Sequence, residues 1–239
     1  MRFLKLEKRN KISFVSFTRT RSLNALNSET LRELIAINNE LDNDTNTKVI
    51  VYRSEGKNFS AGADIKEQQK KLSKLQIWKS NLGKEAIESI LKINQITIAS
   101  LKGYCLGGAA CIASACDFRV ASDTTLVAYP EIDLGMNLNW FGLPLLLRLI
   151  GPSKTKKMVI SGEIENANDL YKWGFVDEIF KDEELDKKTI AFAKKYASKP
   201  PLPTQMIKRS VNALTYQADQ AIMHMDYDQF LLAREFHKE

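Results

Sequence analysis

The sequence has few cysteines, few histidines and no long uncharged apolar run. Its three cysteines, Cys105, Cys111 and Cys116, fall in one short segment of a 239-residue chain. That spacing excludes a disulfide framework and suits a reducing, cytoplasmic compartment. The only histidines are His224 and His237, both far along the chain, so neither a histidine-based mechanism nor a metal site is expected. The best apolar stretch, Phe141 to Ile150, is interrupted by Arg148 and falls well short of the roughly 18 residues of a spanning helix. No membrane association is expected. The opening MRFLKLEKRNK carries too much charge to supply the apolar part of a signal peptide.

What is present is ordinary for a soluble globular protein: 44% hydrophobic and 27% charged residues. Thirty-five Lys and Arg against 29 Asp and Glu give a formal charge of +6. A lysine-rich solvated surface or a phosphate-bearing ligand accounts for this balance. The basic residues are dispersed with no run of five or more, so the charge alone decides nothing, and nucleic acid is not the expected partner.

Strand and helix signals alternate in the first part of the chain, which predicts an α/β fold with crossover connections. Ile12 to Phe17, Lys48 to Tyr52 and Ile96 to Leu101 read as strands. Ser28 reads as the N-cap of a helix carrying Leu31, Leu34, Ile35 and Leu41. A helix of small residues is predicted from about Gly108 to Cys116. From Pro152 onward the pattern is mainly helical, and KPPLP (199–203) reads as a break before a last helical segment from Thr204 to about Phe236. The expected division is a core over 1–180 and a helical C-terminal region over 181–239.

Two of the apolar strands are followed by loops rich in small residues. After KVIVY comes RSEGKNFSAGAD, and after ITIASL comes KGYCLGGAACIASACD. Each reads either as a tight strand-to-helix turn or as a place where bare backbone N–H groups meet a ligand. Two such donors converging on one point would stabilise a developing enolate oxygen. Neither loop matches the phosphate-cradling GK[ST] pattern or the GxGxxG dinucleotide fingerprint.

Taken together, AGAD (61–64), GYCLGG (103–108), CD (116–117) and PE (130–131) resemble the enoyl-CoA hydratase/isomerase (crotonase) superfamily. RSLNALN (21–27), SGEIENANDLYKWGFVDEI (161–179), KPP (199–201) and IKRSVNAL (207–214) extend the resemblance over nearly the whole chain. It implies a crotonase-like spiral of ββα turns with C-terminal helices that build a homotrimer or a dimer of trimers. It also implies an acyl-CoA thioester as substrate, with CoA entering as part of that substrate rather than as a cofactor. The oxyanion donors it implies are the backbone N–H groups of Ala63 and Gly108. The implied CoA contacts are Arg21, Ser22 and Leu23, with Ala61, Gly62, Asp64 and Ile65 along the second loop.

Hydratases of this family hold the attacking water between two glutamates. The resemblance places the second at Glu131, whereas the first position is occupied by Cys111, twenty residues earlier. Gly108 and Cys111 are three apart on a helix and share a face. A thiol, with a reference pKa of about 8.5 against about 4.3 for Glu, is a poor substitute for a carboxylate that must orient water. One glutamate can still move a proton from the α to the γ carbon of a 3-enoyl thioester. The resemblance therefore implies an enoyl-CoA isomerase using Glu131. The alternatives are an enoyl-CoA hydratase of fatty-acid β-oxidation and a non-catalytic CoA- or RNA-binding member.

Cys111 itself reads either as a nucleophile at a helix start or as close packing, and Cys105 and Cys116 as packing. Asp133, two residues past Glu131, reads as an extra acid unless the backbone there is extended, in which case it faces the other way. Met136, Leu138, Trp140 and Phe141 stand where the family often has small residues, which suggests either a narrowed acyl site or simple core packing. Tyr104 and Trp173 read as packing. The sequence stops at LLAREFHKE, about two dozen residues earlier than typical members, which leaves a final covering helix unaccounted for.

Overall fold

The structure is a computed structural model and describes residues 1–67, 72–217, 219 and 225–237. Its centre is a six-stranded sheet in the order β1-β2-β3-β4-β6-β9. The strands are β1 (Leu4–Arg9), β2 (Ile12–Phe17), β3 (Val49–Ser54), β4 (Ile96–Leu101), β6 (Phe118–Ser122) and β9 (Glu178–Phe180). β1 and β2 form an antiparallel pair; the later neighbours are all parallel. Every residue of β2 and β4 is buried. That is why these strands read as continuous apolar runs with small polar residues rather than as alternating ones.

A second, three-stranded sheet holds β5 (Tyr104–Leu106), β7 (Leu126–Ala128) and β8 (Glu165–Asn166). These segments have two or three residues each, too few for a periodic signal, and the sequence reading does not contain them. The helices α1 (Ser28–Asp42), α3 (Leu82–Leu91), α4 (Gly108–Ala115) and α5 (Gly142–Ser161) join one large core with one face of the main sheet. On the other face, Ile12, Phe14, Val49, Val51 and Ile98 meet Ala193 and Ala197 of α7 (Leu185–Ala197). The helical region after residue 180 thus begins as a layer of the sheet core. Between α1 and α3 lies the short α2 (Lys74–Lys79), and α6 (Ala167–Trp173) follows β8.

Three boundaries differ from expectation for identifiable reasons. Asn27, not Ser28, caps α1, its side chain accepting from Thr30 N–H. α5 starts ten residues before Pro152 and continues through it across a kink at Gly151, whose φ of 72° is non-helical. KPPLP is not a break: α8 (Pro201–Thr215) begins inside it, because prolines in a first turn lack only N–H groups that have no intrahelical acceptor. The last helix is α9 (Asp226–Phe236). The part of the expected segment between α8 and α9 that includes His224 lies outside the described residues.

The CD pair proves to be a structural junction. Asp117 accepts from Thr97 N–H at 2.8 Å and from the buried Lys208 Nζ at 2.7 Å, while Lys208 also donates to Gln95 O. One carboxylate therefore ties α8 to the start of β4. Among the described residues no helix is long and apolar enough to cross a membrane.

Candidate active site

The two small-residue loops meet. Beyond β3, Ser60 N–H donates to Tyr104 O and Leu106 N–H to Ser60 O, so the first loop is laced to β5 just before the second loop begins. On its other side, Ala61 N–H donates to Leu23 O, Leu26 N–H to Gly62 O and Asp64 N–H to Leu26 O. Gly62 sits at φ 85° and lies so close to β5 that a Cβ there would fall 2.5 Å from Leu106 O. Only glycine permits this crossing.

These pairings bring together most of the residues expected at the site. Ala61, Gly62, Ala63, Ile65, Gly108, Cys111 and Glu131 line one cavity of about 200 Å³. The N–H groups of Ala63 and Gly108 have no protein acceptor among the described hydrogen bonds, and Gly108 opens α4, where donors are free. Of the expected CoA contacts, Ala61, Gly62 and Ile65 line this cavity, and Leu23 O accepts from Ala61 N–H beside it. Arg21 and Ser22 are exposed on a short turn and Leu23 is 47% exposed. Ile65 is 81% exposed. Asp64 instead braces the loop. Its carboxylate accepts from Arg19 at 2.9 Å and from Lys66 N–H at 3.1 Å, which fastens the loop to the turn before Leu23.

Glu131 lies in a 3-10 turn, Pro130–Leu134, just beyond β7. The turn is anchored by the buried Tyr129, whose hydroxyl reaches Ser114 Oγ at 2.7 Å and donates to Ala110 O at 3.3 Å. Glu131 Oε1 faces Gly107, while Oε2 is buried and has no hydrogen-bond partner. Burial raises its pKa to about 7, only partly offset by its own backbone N–H, since the charged form loses water. A carboxyl with such a pKa can take and return a proton near neutral pH.

Cys111 is 1% exposed, and its Sγ lies 3.7 Å from Asn139 O, the acceptor of its thiol. Burial first, then the neighbouring Glu131 and Asp226, hold the thiol pKa well above its ordinary value. A reactive cysteine needs a lowered pKa and access, so the burial and the raised pKa favour the packing reading over the nucleophile. Burial likewise raises Cys105, and raises Cys116 to about 12. Asp133 is exposed and points toward Gly162, away from the cavity. The reason is the 3-10 turn rather than an extended backbone, because successive positions of that helix diverge by a third of a turn.

The bulky quartet divides. Met136 and Trp140 line the cavity, whereas Leu138 and Phe141 are core residues. Tyr104 is not packed: it is 38% exposed. Trp173 does pack on the core, under Lys154 and Lys157. Three neighbours escaped the sequence reading. Asn139 accepts the thiol of Cys111 through its carbonyl, Phe230 of α9 reaches the cavity, and Asp226 accepts Phe141 N–H. α9 thus supplies a cover to the site, which a local motif could not disclose. Among the described residues no group of three metal-ligating side chains occurs.

A sequence profile described as enoyl-CoA hydratase/isomerase matches residues 7–239. The short-chain-enoyl-CoA hydratase of Clostridium acetobutylicum is 31% identical over 209 residues, 87% of this chain and 80% of that protein. The crotonyl-CoA hydratase of Syntrophomonas wolfei is 30% identical over the same shares. The crystal structure of a probable enoyl-CoA hydratase from Mycobacterium thermoresistibile superposes with a TM-score of 0.89 at 25% identity, covering 99% of this chain and 100% of that one.

Proposed function

The chain belongs to the enoyl-CoA hydratase/isomerase family, and from that premise we propose that it shifts the double bond of a 3-enoyl-CoA thioester to the 2-position. The observation that carries this reading is a single carboxylate, Glu131, with an unpartnered buried oxygen beside two free backbone donors. Glu131 removes a proton from C2 of the substrate, and the electron pair moves into the thioester carbonyl. The resulting dienolate oxygen accepts from Ala63 and Gly108 N–H. Protonated Glu131 then returns the proton to C4, the pair re-forms the carbonyl, and the double bond lies between C2 and C3. Nothing is gained or lost overall. Cys111, a neutral buried thiol, plays no part in proton transfer.

We assign the CoA portion to Arg21, Ser22 and Leu23 with Ala61, Gly62 and Ile65, and Asp64 braces the loop through Arg19. No cofactor is needed for this chemistry. A homotrimer or a dimer of trimers is the assembly we favour, supported by the exposed stripe Leu202, Met206, Ile207, Val211 and Leu214 on α8. Three buried free thiols suit the cytoplasm.

A second reading, hydration of a 2-enoyl-CoA, is favoured by the names of the relatives: both bacterial proteins above are called hydratases. One spectrophotometric experiment separates the two. With a trans-3-enoyl-CoA, isomerisation raises the absorbance of the conjugated thioester; with crotonyl-CoA, hydration lowers it. A rise in the first assay that disappears in Glu131→Gln supports the isomerase. No rise, together with rapid loss in the second, replaces it with the hydratase.

A further inference from the structure

The indole of Trp140 lies directly on the glycine that opens α4. A Cβ built on Gly108 would fall 2.1 Å from Trp140 Cζ3, and one built on Gly83 of α3 would fall 1.7 Å from Cε2. The ring occupies the room that side chains at those two positions would fill, and it borders the cavity. This placement goes against the backbone's own preference. Trp140 and Phe141 both have φ of 56°, the left-handed region that bulky residues avoid.

Contacts from three directions hold the strained pair. Trp140 N–H donates to Asn139 Oδ1 at 2.6 Å, and Asn81 Nδ2 donates to the same oxygen at 3.1 Å. From α9, Asp226 Oδ2 accepts Phe141 N–H at 2.9 Å. Asp226 is 6% exposed and its other oxygen is buried without a partner. A buried carboxylate with one oxygen unused is a costly way to hold a loop, which marks the position of this loop as functional.

We propose that Trp140 sets the acyl-chain length, that Asp226 is the positioning residue that keeps it in place, and that the substrate class is a short-chain acyl thioester. The inference rests on the acyl-CoA reading above and deepens it. The cavity of about 200 Å³ is smaller than the roughly 300–1,000 Å³ of ordinary small-molecule pockets. A longer chain has to displace an indole seated on two bare backbones. In an apolar pocket a single methylene is worth about 10–200-fold in discrimination.

The test is titration calorimetry of the whole chain with butyryl-CoA and octanoyl-CoA, which have no double bond to move. The wild type is expected to bind butyryl-CoA at least about 10-fold more tightly. Trp140→Gly, which tolerates the left-handed backbone, is expected to abolish or reverse that preference. Asp226→Ala is expected to shift it in the same direction. Asp226→Asn, which keeps an acceptor for Phe141 N–H, should preserve it. The wild-type ratio and the Asp226 pair decide the matter if Trp140→Gly does not fold. Equal affinities in the wild type, or a preference unmoved by Trp140→Gly, overturn the proposal and leave acyl-CoA binding standing. A preference unmoved by Asp226→Ala overturns the positioning role. Failure of both thioesters to bind overturns this proposal and the acyl-CoA reading with it.

Discussion

Glu131 has room for its carboxyl because residue 107 has no side chain. A Cβ on Gly107 would lie 2.7 Å from Glu131 Oε1, and Gly107 also takes a φ of 52° to start α4. One residue therefore does two things: it turns the chain so that Gly108 N–H is free, and it leaves space for the Glu131 carboxyl beside that donor. Gly107 N–H is itself fixed, donating to Ala128 O at 2.8 Å, so the Gly108 N–H and the Glu131 carboxyl are registered to each other through β7.

The first expectation concerns pH. With its pKa raised to about 7 by burial, Glu131 is half ionised near neutrality, and only the ionised form can accept a proton from substrate. The rate of double-bond migration should rise through about pH 7 and level off above it. Glu131→Gln should lose about 10²–10⁴-fold. Stability runs the other way, because a carboxyl whose folded pKa exceeds its unfolded value binds more protons when folded. Its contribution is fully present below the unfolded value and declines as pH rises through about 7. Urea denaturation of both proteins at pH 5 and pH 8 checks this: the Gln variant should gain on the wild type at the higher pH. A wild-type rate independent of pH from 5 to 9 would remove Glu131 as the base.

The second concerns the position occupied by Cys111. Its Sγ borders both the cavity and α5, since a Cβ on Gly142 would fall 2.7 Å from it. Cys111→Glu supplies the second carboxylate and should increase hydration of crotonyl-CoA by about 10²-fold, the low end for a general acid or base. The same carboxylate loses water on burial, so the melting temperature should drop. An unchanged hydration rate in a folded variant would show that this position does not face the substrate.

The large divisions of the fold were legible because they rest on long signals. β2 and β4 are six-residue runs of apolar and small polar residues, and α1 has a broad apolar stripe. The short strands β5, β7 and β8 were not, because two or three residues carry no period and their pairing is fixed by tertiary contacts. At the site, the glycine loops stood out as runs of small residues, and Glu131 could be placed through the resemblance of its motif to the family's. Asp226 and Phe230 could not: they reach the site from α9, roughly a hundred residues along the chain, and a lone Asp or Phe in a helix announces nothing. Trp140 could be noticed as bulky, but its left-handed backbone depends on Asn139 and Asp226.

The third expectation is chemical silence of the thiols. All three cysteines are free and buried, and burial raises each pKa. In native protein at pH 8 an aromatic disulfide reagent should titrate almost none of them, whereas in denaturant it should titrate all three. Rapid labelling of Cys111 in the folded protein would reopen its role as a nucleophile.

The fourth tests the crossing at Gly62. This residue has φ 85°, and a Cβ would fall 2.5 Å from Leu106 O, a backbone atom of β5. Gly62→Ala is strained twice over: by its own backbone and by a neighbour that cannot rotate away. The loop must shift, and the adjacent Ala63 N–H moves with it. Losing one donor of an oxyanion pair costs about 10²–10³-fold in rate, so activity should fall by that order. Leu26 and Asp64 hold the loop on its other side, so the protein should remain folded with a lower melting temperature. The loss should appear in kcat more than in KM, because the donor acts on charge that develops only after proton removal. A folded Gly62→Ala with unchanged kcat would mean that the Ala63 N–H does not hold the enolate.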